Sequence, residues 1–377
     1  MYNYGIGELN KKGVDDFTTD IGLKIRKDID KPFKKACNIF TKANIIYDNN
    51  NGTMSDDEYY KQLNDEKIPA SNYPLKDGKN NIVVLKYPKL NKDEPYIFLG
   101  NHTCPEDIET MLNVIDRNAY LVLGSIESLK YNPEMYGSFI NGMIPFDILD
   151  EKERKEIIPK SCRVLKTNSI LIFPEGSHNY SPNKLVNDLF DGPVNIAFKT
   201  NRKIVLSILI KDNDHNVSYI VVSDPIDITK ININMNKEFA TEEEKQKYIV
   251  QQLSLYLRDQ MATAVYNIIL KHIDGIKHDD YADIFEYFKN QYVQDAFNKL
   301  KWKKDVFDAE YLIRKTRAQK DFEEVQQALT NPEVLKKSYS DLRQYVINLE
   351  NLKKISVENN MREHLFQQEA LKLTRKK

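Results

Sequence analysis

Between residues 82 and 222 the chain repeats one texture: short apolar runs at 82–85, 96–99, 119–123, 169–173, 204–210 and 218–222, each bounded by Asn, Asp, Gly or Pro. Runs this short and this uniformly apolar read as strands buried on both faces. Segments of helical character at 107–117, 152–167 and 192–200 fall between them. Strands separated by helices pair through crossovers more readily than as hairpins. The expected fold class is therefore α/β, with a mixed, largely parallel central sheet flanked by helices.

The flanks read differently. Across residues 15–48, Ile21, Leu23, Ile25, Ile29, Phe33, Cys37, Phe40 and Ala43 recur at helical spacing among Lys and Asp, which predicts an amphipathic helix broken at Pro32. The polar stretch 48–77 contains Asn49-Asn50-Asn51-Gly52 and reads as loop with a short helix near 56–63. Beyond residue 228, Ile249, Leu253, Tyr256, Leu257, Met261, Val265 and Ile268 make an apolar stripe, predicting a helix from about Thr241 to Gly275. The last hundred residues are charged and helical in character, divided at Asn331-Pro332 and 338–340. The expected organisation is an N-terminal helical region over 1–75, an α/β domain over 76–275 and a C-terminal helical extension over 276–377.

Composition closes off several function classes. With 55 basic against 56 acidic side chains in 377 residues, the formal charge is −1 and no general attraction to nucleic acid is expected. Cys37, Cys104 and Cys162 are far apart and form no C-x-x-C pair, so neither a disulfide framework nor a zinc ribbon is expected. That usage, with an amino terminus lacking a basic segment followed by an apolar one, suggests a cytoplasmic location. The apolar runs fall far short of the roughly 20 residues that span a bilayer, so membrane contact is expected to be peripheral, on the inner face of the membrane.

Two segments carry chemistry. Leu99-Gly100-Asn101-His102-Thr103-Cys104-Pro105-Glu106-Asp107 leaves a predicted strand and enters a predicted helix. A carboxylate in the first turn of that helix reaches back to one imidazole nitrogen and fixes its tautomer, making His102 and Asp107 a general-base dyad. In the second segment, the strand Ile170-Leu171-Ile172-Phe173 stops at Pro174-Glu175-Gly176-Ser177-His178. Strand ends in α/β sheets open onto a common crevice, so the two segments are expected to converge. Between them stands Gly142-Met143-Ile144-Pro145-Phe146-Asp147, and beyond them Phe190-Asp191-Gly192-Pro193 opens a Gly-Ala helix.

The order N-H-x4-D, G-x-I-P-F, F-P-E-G-S, then a Gly-Ala helix and an apolar strand resembles the lysophospholipid/glycerolipid acyltransferase family, over about residues 80–275. The resemblance implies transfer of a fatty acyl group from acyl-CoA or acyl-carrier protein to a hydroxyl acceptor, a glycerolipid or lysolipid, in phospholipid biosynthesis. It implies His102 as base and Asp107 as its orienting partner. Glu175, Gly176, Ser177 and His178 would lie on the acceptor side, with Asn101, Cys104, Gly142 and Pro145 lining the site. The donor is a co-substrate; no cofactor and no metal is implied. Ile148 and His178 stand where phosphate-binding members usually carry Arg, and a bidentate Arg is the group that recognises phosphate best.

Other readings of the same residues compete. Water in place of the acceptor makes a thioesterase-like hydrolase of the same dyad, and an inactive core would leave a lipid-binding or scaffold protein. Cys104 is either an acyl-thioester nucleophile or a small turn residue. His102, Glu106, Asp107, Glu175 and His178 are all metal-ligand types but lack a metal-binding spacing. His215, His272, His278 and His364 read as solvated. The Lys31, Lys34, Lys35 and Lys42 cluster within residues 31–46 is either a solvated helix face or a contact for anionic lipid, and the aromatic stripe of residues 281–302, with Trp302, is either core or a membrane-facing surface.

Overall fold

The computed structural model describes residues 20–41, 43–48, 59, 80–104, 106–123, 141–146, 151–176, 179, 185–212, 214–233, 235 and 238–273. The expected short helix at 56–63, Ser177, His178, the aromatic stripe and the extension from residue 276 onward lie outside them, except Tyr59.

Eight strands form one sheet: β1 Ala43–Tyr47, β2 Asn80–Lys86, β3 Ile97–Gly100, β4 Ala119–Leu123, β5 Met143–Pro145, β6 Ser169–Ile172, β7 Ile204–Asp212 and β8 Val217–Val222. Their order across the sheet is β1-β2-β8-β7-β3-β6-β4-β5. Every neighbouring pair is parallel except β7 and β8, whose hairpin pairs Ser207 with Val222 and Asp212 with Val217. The single antiparallel seam divides the sheet into two parallel blocks that run in opposite directions. The C-terminal ends of β3 to β7 therefore share one edge, with β3 seated between β6 and β7.

Alternate residues of the strands feed two cores. On one face Val83, Leu85, Leu99, Ile170, Ile208 and Tyr219 pack with Val164, Val194, Leu257 and Val265. These last four come from helices α3 Glu151–Val164, α4 Gly192–Thr200 and α5 Glu242–His272. On the other face Ile82, Val84, Phe98, Leu121, Leu171 and Leu209 pack with Ile108, Met111 and Leu112 of α2 Asp107–Val114. Phe98, Leu121, Leu171 and Leu209 are wholly buried; strands covered on both faces need the unbroken apolar runs the sequence carries.

Helix α5 begins where a cap begins it. The Thr241 hydroxyl accepts the Glu244 N–H at 3.1 Å, and the Glu244 carboxylate accepts the Ala240 N–H at 3.1 Å, so one donor of the first turn and one just before the cap are satisfied. Among the described residues no helix is long and apolar enough to cross a membrane.

Three expectations are corrected. The helix over 15–48 is not broken at Pro32: α1 runs through it, Asp20–Thr41, and the residues after it form β1, an edge strand paired with β2. Lys34 is not a solvated or lipid-facing cation. Its ammonium binds Asp30 at 3.0 Å and donates to the carbonyls of Ile115 and Arg117, tying α1 to the end of α2, while burial pulls its pKa down. His272 is buried and stacks on Tyr219 at 5.1 Å between ring centroids; His215 is half-exposed and paired with Asp212.

Candidate active site

Strand β3 ends at Gly100, where a Cβ would overlap Met111 of α2 and the Phe173 ring. The chain is nonetheless held to the sheet one residue further. The buried Asn101 amide donates to the Leu209 carbonyl at 2.9 Å and accepts the Leu209 N–H at 2.8 Å, so a side chain continues the ladder to β7 after the backbone has turned away. Asn101 thus faces β7 and shapes the loop instead of lining the site.

His102 follows at the sheet edge. Its Nδ1 lies 2.8 Å from Asp107 Oδ2, with the Asp107 side chain fully buried and the imidazole 18% exposed. The same oxygen accepts the Thr103 N–H at 3.0 Å and the Cys104 N–H at 3.3 Å. This one oxygen, on a carboxylate at the first position of α2, thus meets two backbone N–H donors and the imidazole. An ionised carboxylate only accepts, so it selects the tautomer with the proton on Nδ1. Proton exchange with a substrate would then pass through Nε2.

Glu175, 5% exposed, is pulled inward. Its Oε1 accepts the His102 backbone N–H at 3.0 Å and its Oε2 accepts the Asn187 N–H at 2.7 Å. Glu175 therefore clamps the loop after β3 to the loop after β6. Two further bonds close the same junction: Asn179 N–H to the His102 carbonyl and Phe190 N–H to the Pro174 carbonyl, each 2.8 Å. The turn itself needs Gly176, whose φ is +71° and whose missing Cβ leaves room for the Phe190 ring. Phe173, at the end of β6, packs against the His102 ring with centroids 4.9 Å apart.

The remaining expected residues separate. Cys104 is buried, and burial pushes its thiol well above the usual range, with the Asp107 and Glu106 charges pushing it the same way. A thiol held protonated is a poor nucleophile; Cys104 serves the turn. Gly142 does not line the site. It precedes β5, at the opposite sheet edge, where its φ of +129° and lack of a Cβ let the Tyr120 ring lie over it. Pro145 reaches the right edge, but β6 and β4 stand between β3 and β5, which sets it about 14 Å across the sheet. Among the described residues no three metal-ligating side chains converge.

The spacing of His102 and Asp107 was the signal that found the dyad. The N–H donors of Thr103, Cys104 and Asn187 left no such signal, because a backbone donor is the same in every residue except proline.

No family model and no curated protein matches the chain. Among solved structures it is similar to the 1-acyl-sn-glycerophosphate (LPA) acyltransferase PlsC from Thermotoga maritima, at 14% sequence identity and a TM-score of 0.36, over 66% of this chain and 89% of that one.

Proposed function

We propose that the chain is an O-acyltransferase that moves a fatty acyl group from acyl-CoA or acyl-carrier protein to a hydroxyl acceptor, a glycerolipid or lysolipid. The observation that carries the reading is the 2.8 Å contact between His102 Nδ1 and the buried Asp107 carboxylate, at the edge where five parallel strands end. His102 Nε2 takes the proton of the acceptor hydroxyl as its oxygen attacks the thioester carbonyl. Asp107 stabilises the imidazolium that forms. The tetrahedral intermediate collapses with cleavage of the C–S bond, and the departing thiolate takes the proton back from the imidazolium. One C–O bond replaces one C–S bond, with no change of oxidation state.

On this reading Gly176, Ser177 and His178 lie on the acceptor side, and Glu175 holds the loop that carries them. A lipid acceptor has to leave a bilayer, so the protein works as a peripheral membrane protein; the exposed Lys24, Ile25, Lys27 and Lys31 of α1, with Asp28 among them, offer a face of net positive charge with one apolar side chain. Because Ile148 and His178 stand where phosphate-binding members of the resembled family usually carry Arg, the acceptor panel has to include alcohols with and without phosphate. Purified protein given labelled acyl-CoA or acyl-carrier protein and that panel is expected to form an acyl ester, and Asp107→Asn to lose it. Free fatty acid as the sole product across the panel would make the protein a hydrolase, and no turnover of any thioester would overturn the enzymatic reading.

A further inference from the structure

Helix α5 lies outside the motif-bearing loops, yet it grips the loop that donates to Glu175 Oε2. Arg258 Nη1 donates to Asp188 Oδ1 at 2.6 Å, while its Nε and Nη2 donate to Asp259 Oδ1 at 3.0 and 2.8 Å. One turn earlier the Ser254 hydroxyl bonds Asp191 Oδ1 at 2.8 Å. Asp188 follows Asn187, whose N–H holds Glu175 Oε2, and Glu175 Oε1 holds the backbone of His102. Arg258 is itself 9% exposed, its guanidinium fixed from behind by the buried Asp259. A planar, preorganised donor of this kind sets the position of whatever it binds more tightly than a solvated cation does.

From this chain of contacts we infer that Arg258 is a positioning residue for His102, acting through Asp188, the Asn187 N–H and the Glu175 carboxylate. It touches no reacting atom. With the guanidinium in place, residues 187–191 are fastened to α5 at two points, so the Asn187 N–H stays on Glu175 and the second carboxylate oxygen stays on His102. Without it, residues 187–191 keep the Ser254–Asp191 bond, the Phe190 N–H bond to Pro174 and the core packing of Leu189, but lose the charged tie beside Asn187. The Asn187 N–H is then placed less firmly on Glu175 Oε2, and the His102 backbone held by Oε1 gains freedom with it. A base held by three elements loses its attack geometry through small displacements, which lowers turnover more than substrate binding.

The kinetic part rests on the acyl-transfer reading; the exchange part does not, so the two can fail separately. Amide hydrogen exchange is measured on the full chain as wild type, Arg258→Ala, Arg258→Lys and Asp188→Ala. The Asp188 side chain is 47% exposed and Arg258 keeps its bonds to Asp259, so Asp188→Ala removes the cross-link without stranding a buried charge. Both Arg258→Ala and Asp188→Ala are expected to speed exchange of the His102 and Asn187 amides by about tenfold, with Phe98 and Leu99 of β3 unchanged. Arg258→Lys is expected to fall between them and wild type. In the transfer assay kcat is expected to drop about tenfold with KM within about twofold. Equal acceleration across β3 in Asp188→Ala would reduce Arg258 to a general stability role, and unchanged His102 and Asn187 exchange in that variant would overturn the inference outright. Loss of exchange protection in a protein with no transfer activity would keep the relay and discard the acyl-transfer reading.

Discussion

The molecule carries two His–Asp pairs that are almost superimposable as chemistry and different as construction. His102 Nδ1 sits 2.8 Å from Asp107, and His215 Nδ1 sits 2.9 Å from Asp212. Both aspartates are buried, 0% and 2% exposed at the side chain, and both accept backbone N–H bonds as well. Both pairs stand at the same sheet edge, one after β3 and one after β7. The resemblance ends there. Asp212 takes the N–H groups of Asp214 and His215, all within one four-residue turn, so the second pair is a device that closes the β7–β8 hairpin. Asp107 binds across a strand-to-helix turn, and the His102 it orients is also held by Glu175 from another crossover. An imidazole 39% exposed on a hairpin samples solvent freely, whereas one 18% exposed and packed on Phe173 is held to one orientation. A hydrogen-bonded dyad is thus common chemistry; what marks a base is that several elements fix it where strands converge.

The comparison breaks most readily at the aspartates. Asp107→Asn replaces the acceptor-only carboxylate that selects the tautomer with an uncharged amide that also donates, and is expected to lower kcat/KM of acyl transfer by about 10²-fold or more, within the range general-base catalysis supplies. Asp212→Asn is expected to cost about 1–2 kcal/mol of stability in urea unfolding and to leave transfer by the folded protein within about twofold. An Asp212→Asn protein that folds normally but no longer turns over would erase the distinction drawn between the pairs.

A smaller effect sharpens it. Gly176→Ala forces a side chain into a backbone at φ +71° beneath the Phe190 ring, and is expected to destabilise the protein by about 1–3 kcal/mol and to cut transfer, since the turn that carries Glu175 has to shift. The corresponding hairpin turn has Asn216 at φ +53°; Asn216→Gly is expected to change stability by less than about 1 kcal/mol and activity not at all, as thermal unfolding and kinetics on the same preparations would show. The smallest effect belongs to Cys104. Cys104→Ser is expected to keep transfer within about threefold, and the wild-type thiol to resist alkylation at pH 8 in the folded protein; rapid labelling there with loss of activity would return Cys104 to the list of nucleophiles.

Much of this was legible in residue order. Strands β3, β4, β6, β7 and β8 announce themselves because burial on two faces leaves their middles apolar but for Ser207 of β7, and the Thr241 start of α5 is written in Thr241 and Glu244. Strand β1 was hidden: Ile45 and Ile46 continue the helical spacing of the segment before them, and an edge strand lacks the long apolar run of a central one. Strand β5 is three residues long, too short for any periodicity. The dyad was readable from its i, i+5 spacing at a strand end. Glu175 was readable as a site residue but not as a clamp, because its partners are main-chain N–H groups contributed by loops some 73 and 12 residues away in sequence. Arg258 had no local signal, since its role depends on where α5 crosses the loop before α4.

If His102, and not its chemical twin, is the base, kcat/KM for acyl transfer separates His102→Ala from His215→Ala when both are measured side by side on proteins of matched thermal unfolding. A loss of about 10²–10⁴-fold is expected in the first and a change within about twofold in the second. Equal losses, or full transfer by a folded His102→Ala protein, would rule His102 out as the base.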